Sequence, residues 1–145
     1  MGHIADTRRN IQAILQTIPS LTVVLGTKHL GNQEDFFKSL YDFGNNSSKP
    51  CAVVVPGRFT KIENFLKTTE FEVDIRLYYG FKNHEDFDYT EIEDLVEDIM
   101  TKLRDGENWT AARPYDGTPL EKQDEELHQQ PVVVCYEGKL LFKAS

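Results

Sequence analysis

One stretch limits the fold more than any other, because a strictly alternating segment leads into a helix-like acidic segment. Between Phe71 and Tyr79 every second residue is apolar, which is the pattern of a strand with one face in the core. The pattern predicts a sheet with one buried face and one face in solvent. The core-facing set is Phe71, Val73, Ile75, Leu77 and Tyr79, and the solvent-facing set is Glu72, Asp74, Arg76 and Tyr78.

The segment from Thr90 to Arg104 has helical periodicity. Its apolar residues follow the spacing i, i+3, i+4, i+7 and i+11, which places them in one stripe that can lie across the sheet. Thr90 and Glu93 form a candidate capping box, and Gly106 stands where a left-handed residue would end the last turn. The stripe consists of Ile92, Leu95, Val96, Ile99 and Leu103.

Further elements are predicted before the alternating strand. An amphipathic helix is expected from Asp6, as its cap, to Ile18, with Pro19 marking its end. Turn residues fill the connection from Gly44 to Lys49. The other predicted elements are a strand at Leu21 to Leu25, a short helix at Gln33 to Phe43 and a strand at Cys51 to Val55 that Pro56 and Gly57 either end or bulge.

Two features follow the acidic helix. The proline-flanked segment Arg113 to Pro119 carries the turn signal Asp116-Gly117 and is expected to form an arm or a hairpin tip, followed by an exposed polar connection from Glu121 to Gln130. Pro131 to Lys143 gives either one long strand kinked at Gly138 or a hairpin turning at Glu137-Gly138. The periodicity does not separate these two alternatives.

These elements predict one α+β domain over residues 1–145, with a mixed or antiparallel sheet and amphipathic helices packed on it. A chain of 145 residues can bury about 70% of the surface exposed when unfolded, so no disulfide or metal is needed for stability. Cys51 and Cys135 are widely spaced in apolar runs and are expected to be reduced and buried.

The sequence gives little support to catalysis or metal binding. His84, Glu85, Asp86 and Asp88 crowd one loop, but their spacing matches neither a zinc site nor a calcium-binding loop. Acidic residues near a helix N-terminus are accounted for by the helix dipole. There is no nucleophile elbow, phosphate-binding loop or metalloprotease helix. The expectation is therefore a protein that is not an enzyme and has no cofactor and no metal.

The charge balance restricts the partners. A net charge of -8 argues against tight nucleic-acid binding, which depends on lysine and arginine displacing counterions, but it suits a surface that DNA passes without adhering. No apolar run approaches the roughly 20 residues that span a bilayer. The N-terminal residues lack a secretion core. We therefore expect the protein to assemble in the cytoplasm and not to associate with a membrane.

Charge asymmetry marks the main candidate surface. From Glu85 to Asp98 the chain carries eight of its 24 acidic residues and no lysine or arginine. Either this is a solvated face, or it lines a channel or meets a basic partner. The eight residues are Glu85, Asp86, Asp88, Glu91, Glu93, Asp94, Glu97 and Asp98.

The order of these elements resembles the tail terminator, or tail completion, proteins of long-tailed bacteriophages. The resemblance covers most of the chain but has no invariant motif. It lies in the opening helix that ends at Ile18-Pro19, the strand Pro50 to Val55, the strand Phe71 to Tyr79, the apolar helix stripe and the strand Val132 to Tyr136.

The resemblance implies a structural protein of the virion, located where the tail meets the head. Subunits of this kind form a hexameric ring that caps the tail tube and faces the connector, or neck, of the head. The implied partners are further copies of the chain, the tail tube protein and the connector protein, while DNA passes through the ring without specific binding. The acidic run becomes a candidate channel or interface surface.

Loops would then mediate ring contacts. The connection Gly26 to Lys49 and the loop Arg113 to Pro119 are the candidate regions for contact between subunits or with the tube. The candidate intersubunit residues are Arg113, Pro114, Tyr115, Asp116 and Gly117.

Other functions remain open at this point. The polar insertion Lys122 to Gln130 and a terminal hairpin would suit another head-to-tail joining component, such as a neck or stopper protein. A different class is a small α+β enzyme or ligand-binding module that uses Cys51 or His84.

Overall fold

The computed structural model describes residues 3–19, 21–25, 39–42, 44–63, 68–81, 89–123 and 132–144. Two α-helices and eight strands lie in this part of the chain, with a short 3-10 helix at Gly106–Asn108. In chain order they are α1 (His3–Leu15), β1 (Thr22–Leu25), β2 (Tyr41–Asp42), β3 (Ser47–Ser48), β4 (Cys51–Val54), β5 (Arg58–Glu63), β6 (Thr68–Phe81), α2 (Thr90–Arg104), β7 (Asp116–Lys122) and β8 (Val132–Ala144).

The main sheet is mixed and is built around β6. Its strands lie in the order β1-β4-β6-β8-β7, and β5 pairs with the first part of β6 beyond the end of β4. β1 runs parallel to β4, and the other pairs in this sheet are antiparallel. β2 and β3 form a separate two-stranded hairpin. β6 has 14 residues and pairs with β8 over its last 13, so these two long strands form the centre of the sheet.

Both helices contribute to a core on one face of the sheet. All five core-facing residues predicted for β6 are buried there, together with Phe81. In α2, Ile92, Ile99 and Leu103 are buried, and Leu95 and Val96 are half-buried against the same core. The helix α1 contributes Ile11, Ile14 and Leu15. The predicted α+β class, with amphipathic helices packed on a mixed sheet, is confirmed.

The other face of β6 is less exposed than the alternation predicts. Glu72 is only 5% exposed and Tyr78 only 8%, while Asp74 and Arg76 are half-buried. The prediction of a face in solvent is therefore wrong for Glu72 and Tyr78. The reason is cross-strand packing, since Tyr78 lies between Cys51 of β4 and Cys135 of β8 and packs in a small second cluster with Leu40.

Both predicted signals at the ends of α2 are wrong, although its bounds agree with the prediction. Tyr89 is the N-cap residue and makes no side-chain capping bond, so Thr90 and Glu93 do not form a capping box. Asp105, with an extended backbone, ends the helix, and Gly106 begins the 3-10 helix that follows. The side chains of Asn108 and Trp109 close the last turn by donating to the carbonyls of residues 102 and 103.

The C-terminal segment is one strand, as the first of the two alternatives predicts. β8 continues through Gly138, and β7 bulges opposite it, so that Pro119 and Leu120 together face one residue. Proline has no amide hydrogen for the ladder, which accounts for a bulge at this point. Asp116 and Gly117 are the first residues of β7, so the prediction of a hairpin tip there is wrong.

Two predictions nearer the N-terminus are wrong. α1 begins at His3, and Asp6 lies within its first turn in an ion pair with Arg9 at 3.3 Å, so Asp6 is not the cap. Tyr41 and Asp42 form β2 instead of the end of a helix. The rest of the helix predicted at Gln33 to Phe43 lies largely outside the described residues. The strands predicted at Leu21 to Leu25 and Cys51 to Val55 correspond to β1 and β4.

Candidate interaction surfaces

The outer side of α2 presents a row of carboxylates. We call this set the acidic face; it consists of Glu91, Glu93, Asp94, Glu97 and Asp98, all of which are exposed. The apolar stripe of α2 fixes this orientation, because burying Ile92 and Ile99 against the sheet turns the charged residues away from it. Glu85, Asp86 and Asp88, the other predicted members of this surface, lie outside the described residues.

A hydrogen bond connects the acidic face to the core. The phenol of Tyr79 on β6 donates a hydrogen bond of 2.6 Å to Glu91 Oε2. Within the described part of the chain, no lysine or arginine pairs with Glu93, Asp94, Glu97 or Asp98. These four neighbouring carboxylates thus have no compensating ion pair among the described residues, and their mutual repulsion favours contact with a cationic group.

Asn10 on α1 binds the segment that precedes the predicted intersubunit loop, and Asn10 was not among the residues predicted from the sequence. Its buried Oδ1 accepts hydrogen bonds from the amides of Thr110 and Ala111, both at 2.9 Å. Its Nδ2 donates to the carbonyl of Asn108 at 3.2 Å. The sequence offered one signal for Asn10: its side-chain amide lies at helical spacing from Thr7 and Ile14, next to the apolar stripe of α1. Asn10 therefore fixes the segment that leads to the candidate loop.

The predicted intersubunit residues follow the segment that Asn10 fixes. Arg113, Tyr115, Asp116 and Gly117 are exposed and Pro114 is half-buried. The amide of Tyr115 donates to the carbonyl of Leu141 at 2.9 Å, which attaches the loop to β8. Lys143 Nζ lies 4.6 Å from the centroid of the Tyr115 ring, a cation–π distance. The loop is thus held against the sheet while its side chains face outward.

A groove runs between the end of α2 and β7, beside this loop. We call it the arginine groove; it has a volume of about 460 Å³ and apolar side chains from Met100, Leu103, Trp109 and Leu140. Arg104 and Arg113 also line it. A β-carbon at Gly106 would stand 2.6 Å from Arg113 Nη1, so the glycine lets this guanidinium lie against the backbone. In the described part of the chain, no carboxylate pairs with either arginine.

The second face of the sheet carries a compensated charge cluster. The buried carboxylate of Glu72 pairs with Arg58 and, at 3.5 Å, with Lys139, and Arg76 pairs with Glu137 at 3.2 Å. Burial raises the pKa of the neighbouring Asp74, and the charge of Glu72 raises it further. Acids and bases alternate here within one subunit, in contrast to the acidic face and the arginine groove.

The two cysteines are not arranged for chemistry. Both are free, and Tyr78 on the intervening strand separates them, so their α-carbons are about 10 Å apart, too far for a disulfide. Burial raises the pKa of the Cys51 thiol to about 11 and that of the Cys135 thiol to about 11. Such thiols are protonated at neutral pH and are poor nucleophiles.

Among the described residues, no three His, Cys, Asp or Glu side chains gather closely enough to hold a metal ion. His84, named in both the metal and the enzyme alternatives, lies outside that part of the chain. Neither α1 nor α2, the α-helices of the described residues, is long and apolar enough to cross a bilayer.

No protein-family model and no curated protein matches the sequence.

Proposed function

We propose that this chain is a tail terminator: a virion protein that caps the end of a phage tail tube as a ring and joins the tail to the head connector. Its task in this proposal is assembly, with no chemical reaction, no metal and no cofactor. Its partners are further copies of the chain, the tube protein and the connector protein. DNA passes through the ring without specific binding.

The observation that carries this proposal is two oppositely charged surfaces, the acidic face and the arginine groove, whose charged side chains form no ion pair that joins the two or compensates either one within the described parts of the chain. The acidic face is carried by a helix whose other side is buried in the core, and the loop after Trp109 is held by Asn10 and β8. Surfaces that are fixed to the core, exposed and charged without internal compensation suit recognition between subunits. The protonated thiols of Cys51 and Cys135 give no support to the cysteine-based alternative.

The order of elements also supports the proposal. An opening helix, a strand-rich middle, a long central strand, an acidic helix and a closing strand occur in the sequence expected from the resemblance to tail terminators. A likeness of this kind does not distinguish a terminator from another head-to-tail joining protein, so the deciding test must be functional.

Removal of the gene provides this test. We expect particles produced without it to have overlong or uncapped tails in negative-stain electron micrographs, and we expect a wild-type copy supplied in trans to restore tails of normal length. Finished tails beside heads that leak DNA would instead identify a neck or stopper protein. Particles of normal form and infectivity would contradict both virion functions.

A further inference from the structure

The arginine groove and the acidic face adjoin on the same subunit, because Glu93 and Glu97 line a cavity together with Arg104 and Met100 of the groove. Among the described residues, no ion pair compensates the charges of either surface. The groove lies at the C-terminal end of α2, whereas the acidic face occupies the earlier turns of the same helix. When two different complementary patches on one molecule pair head to tail, the contacts close into a ring if the rotation between neighbours allows it. The charge pattern therefore suggests how copies of this chain recognise each other.

We propose that the arginine groove of one subunit binds the acidic face of α2 of the next subunit. This inference rests on the proposed ring function and specifies the contact that builds the ring. Asp94 and Asp98 are spaced i, i+4, so their β-carbons are about 6 Å apart and both point the same way from the helix. Arg104 and Arg113 present two guanidinium groups, each able to bind one carboxylate through paired hydrogen bonds.

The groove also contributes apolar contact. Leu103 and Trp109 line the groove with the arginines and are themselves buried, and Trp109 is fixed by a 2.9 Å hydrogen bond from its indole to the carbonyl of Leu103. Apolar surface next to the ion pairs excludes water and strengthens them. A second copy is the chosen occupant because the chain itself supplies the matching carboxylates in excess, with a net charge of -8.

Charge reversal with mixing tests the contact. The groove variant is Arg104→Glu with Arg113→Glu, and the helix variant is Asp94→Lys with Asp98→Lys. We expect each double variant of the full chain to associate at least about 100-fold more weakly than wild type at low salt, because like charges then face each other. Mixed in equal amounts, the two variants should assemble again, since each supplies the charge that the other requires.

The controls separate this contact from general effects of charge. Arg9→Glu reverses an exposed guanidinium on α1 that belongs to neither the arginine groove nor the acidic face, and should leave association unchanged. Circular dichroism should show that every variant is folded. A variant with all four substitutions should associate by itself, because its groove and helix are again complementary.

The outcomes are distinct for this contact and for the proposed function. Reversal variants that still form the wild-type ring, or that fail to recover on mixing, would overturn the contact while leaving the proposed ring function intact. A mixture that recovers only as a two-subunit species would overturn the head-to-tail arrangement. A wild-type chain that stays monomeric at all concentrations would also overturn the contact, and the gene-removal experiment would then decide the function separately.

Discussion

The phenol of Tyr79 donates to the carboxylate of Glu91 at 2.6 Å, and this bond joins the central strand to the acidic face of α2. Tyr79 is buried in the core, whereas Glu91 is exposed on the helix, so the bond links the interior of the domain to its most charged surface. Its effect on stability can be measured directly.

Tyr79→Phe is expected to lower the free energy of unfolding by about 1–2 kcal/mol, because a hydrogen bond to a charged acceptor is lost while the ring still fills its place. Urea unfolding of Tyr79→Phe, Glu91→Ala and the double variant would give the coupling between the two residues. We expect a coupling of about 1 kcal/mol. Additive effects of the two substitutions would contradict a direct bond between these side chains.

Asn10→Ala should destabilise the domain by about 2–4 kcal/mol. The substitution leaves the amides of Thr110 and Ala111 and the carbonyl of Asn108 without their partner. Chemical denaturation provides the measurement, and Gln12→Ala, a half-buried position on the same helix, is the matched control. Equal stability of the two variants would show that the Asn10 bonds do not hold the segment as described.

Gly138→Ala should cost about 1–3 kcal/mol. A β-carbon there would lie 2.9 Å from the carbonyl oxygen of Thr118 and 3.1 Å from the amide nitrogen of Leu120, and neither backbone atom can move without disturbing the bulge. Gly44→Ala is the control, because its β-carbon would meet only a side-chain oxygen at 3.4 Å, and a change within about 0.5 kcal/mol is expected. If both alanine variants unfold at the wild-type midpoint, the close approach at Gly138 is wrong.

Alkylation of the folded protein at neutral pH should be at least about 100-fold slower than in guanidinium chloride, because thiols with a pKa of about 11 are almost entirely protonated. Mass spectrometry after timed iodoacetamide treatment would measure the rate at Cys51 and Cys135. One rapidly labelled thiol in the folded chain would contradict this prediction and favour the enzyme alternative.

The same pKa values predict how stability depends on pH. The unfolded thiols have a pKa near 8.5, so between about pH 8.5 and 11 the unfolded chain loses these protons before the folded chain does. The thiol contribution to stability is therefore complete below pH 8.5 and is lost as pH rises through this window. Replacement of both cysteines by serine should flatten this part of the stability profile.

The sequence predicted those parts of the fold that depend on local periodicity. The core-facing side of β6 and the apolar stripe of α2 follow from the spacing of residues in each element, and both are confirmed. The burial of Glu72 and Tyr78 did not follow, since it depends on neighbouring strands that are distant in the chain. The signals at the two ends of α2 failed for separate reasons. Tyr89 precedes Thr90 as the N-cap residue, and side chains beyond Arg104 close the C-terminal end.

The candidate surfaces were predicted unevenly. The carboxylates of α2 were identified because charge density can be counted along the chain, and five of the eight lie in the described helix. The arginine groove was not, because Arg104, Arg113 and Leu140 meet only after β7 and β8 pair. Asn10 contacts residues about 100 positions away, so sequence spacing could mark it as unusual but could not name its partners.

The mass of the purified chain in solution tests the central claim most directly. Multi-angle light scattering over a wide concentration range, at low and moderate salt, would determine it. We expect a closed assembly of about 100 kDa, or about six subunits of 16.7 kDa, that weakens as salt rises because unlike charges form its contacts. A mass that stays at 16.7 kDa throughout would contradict self-assembly through these surfaces.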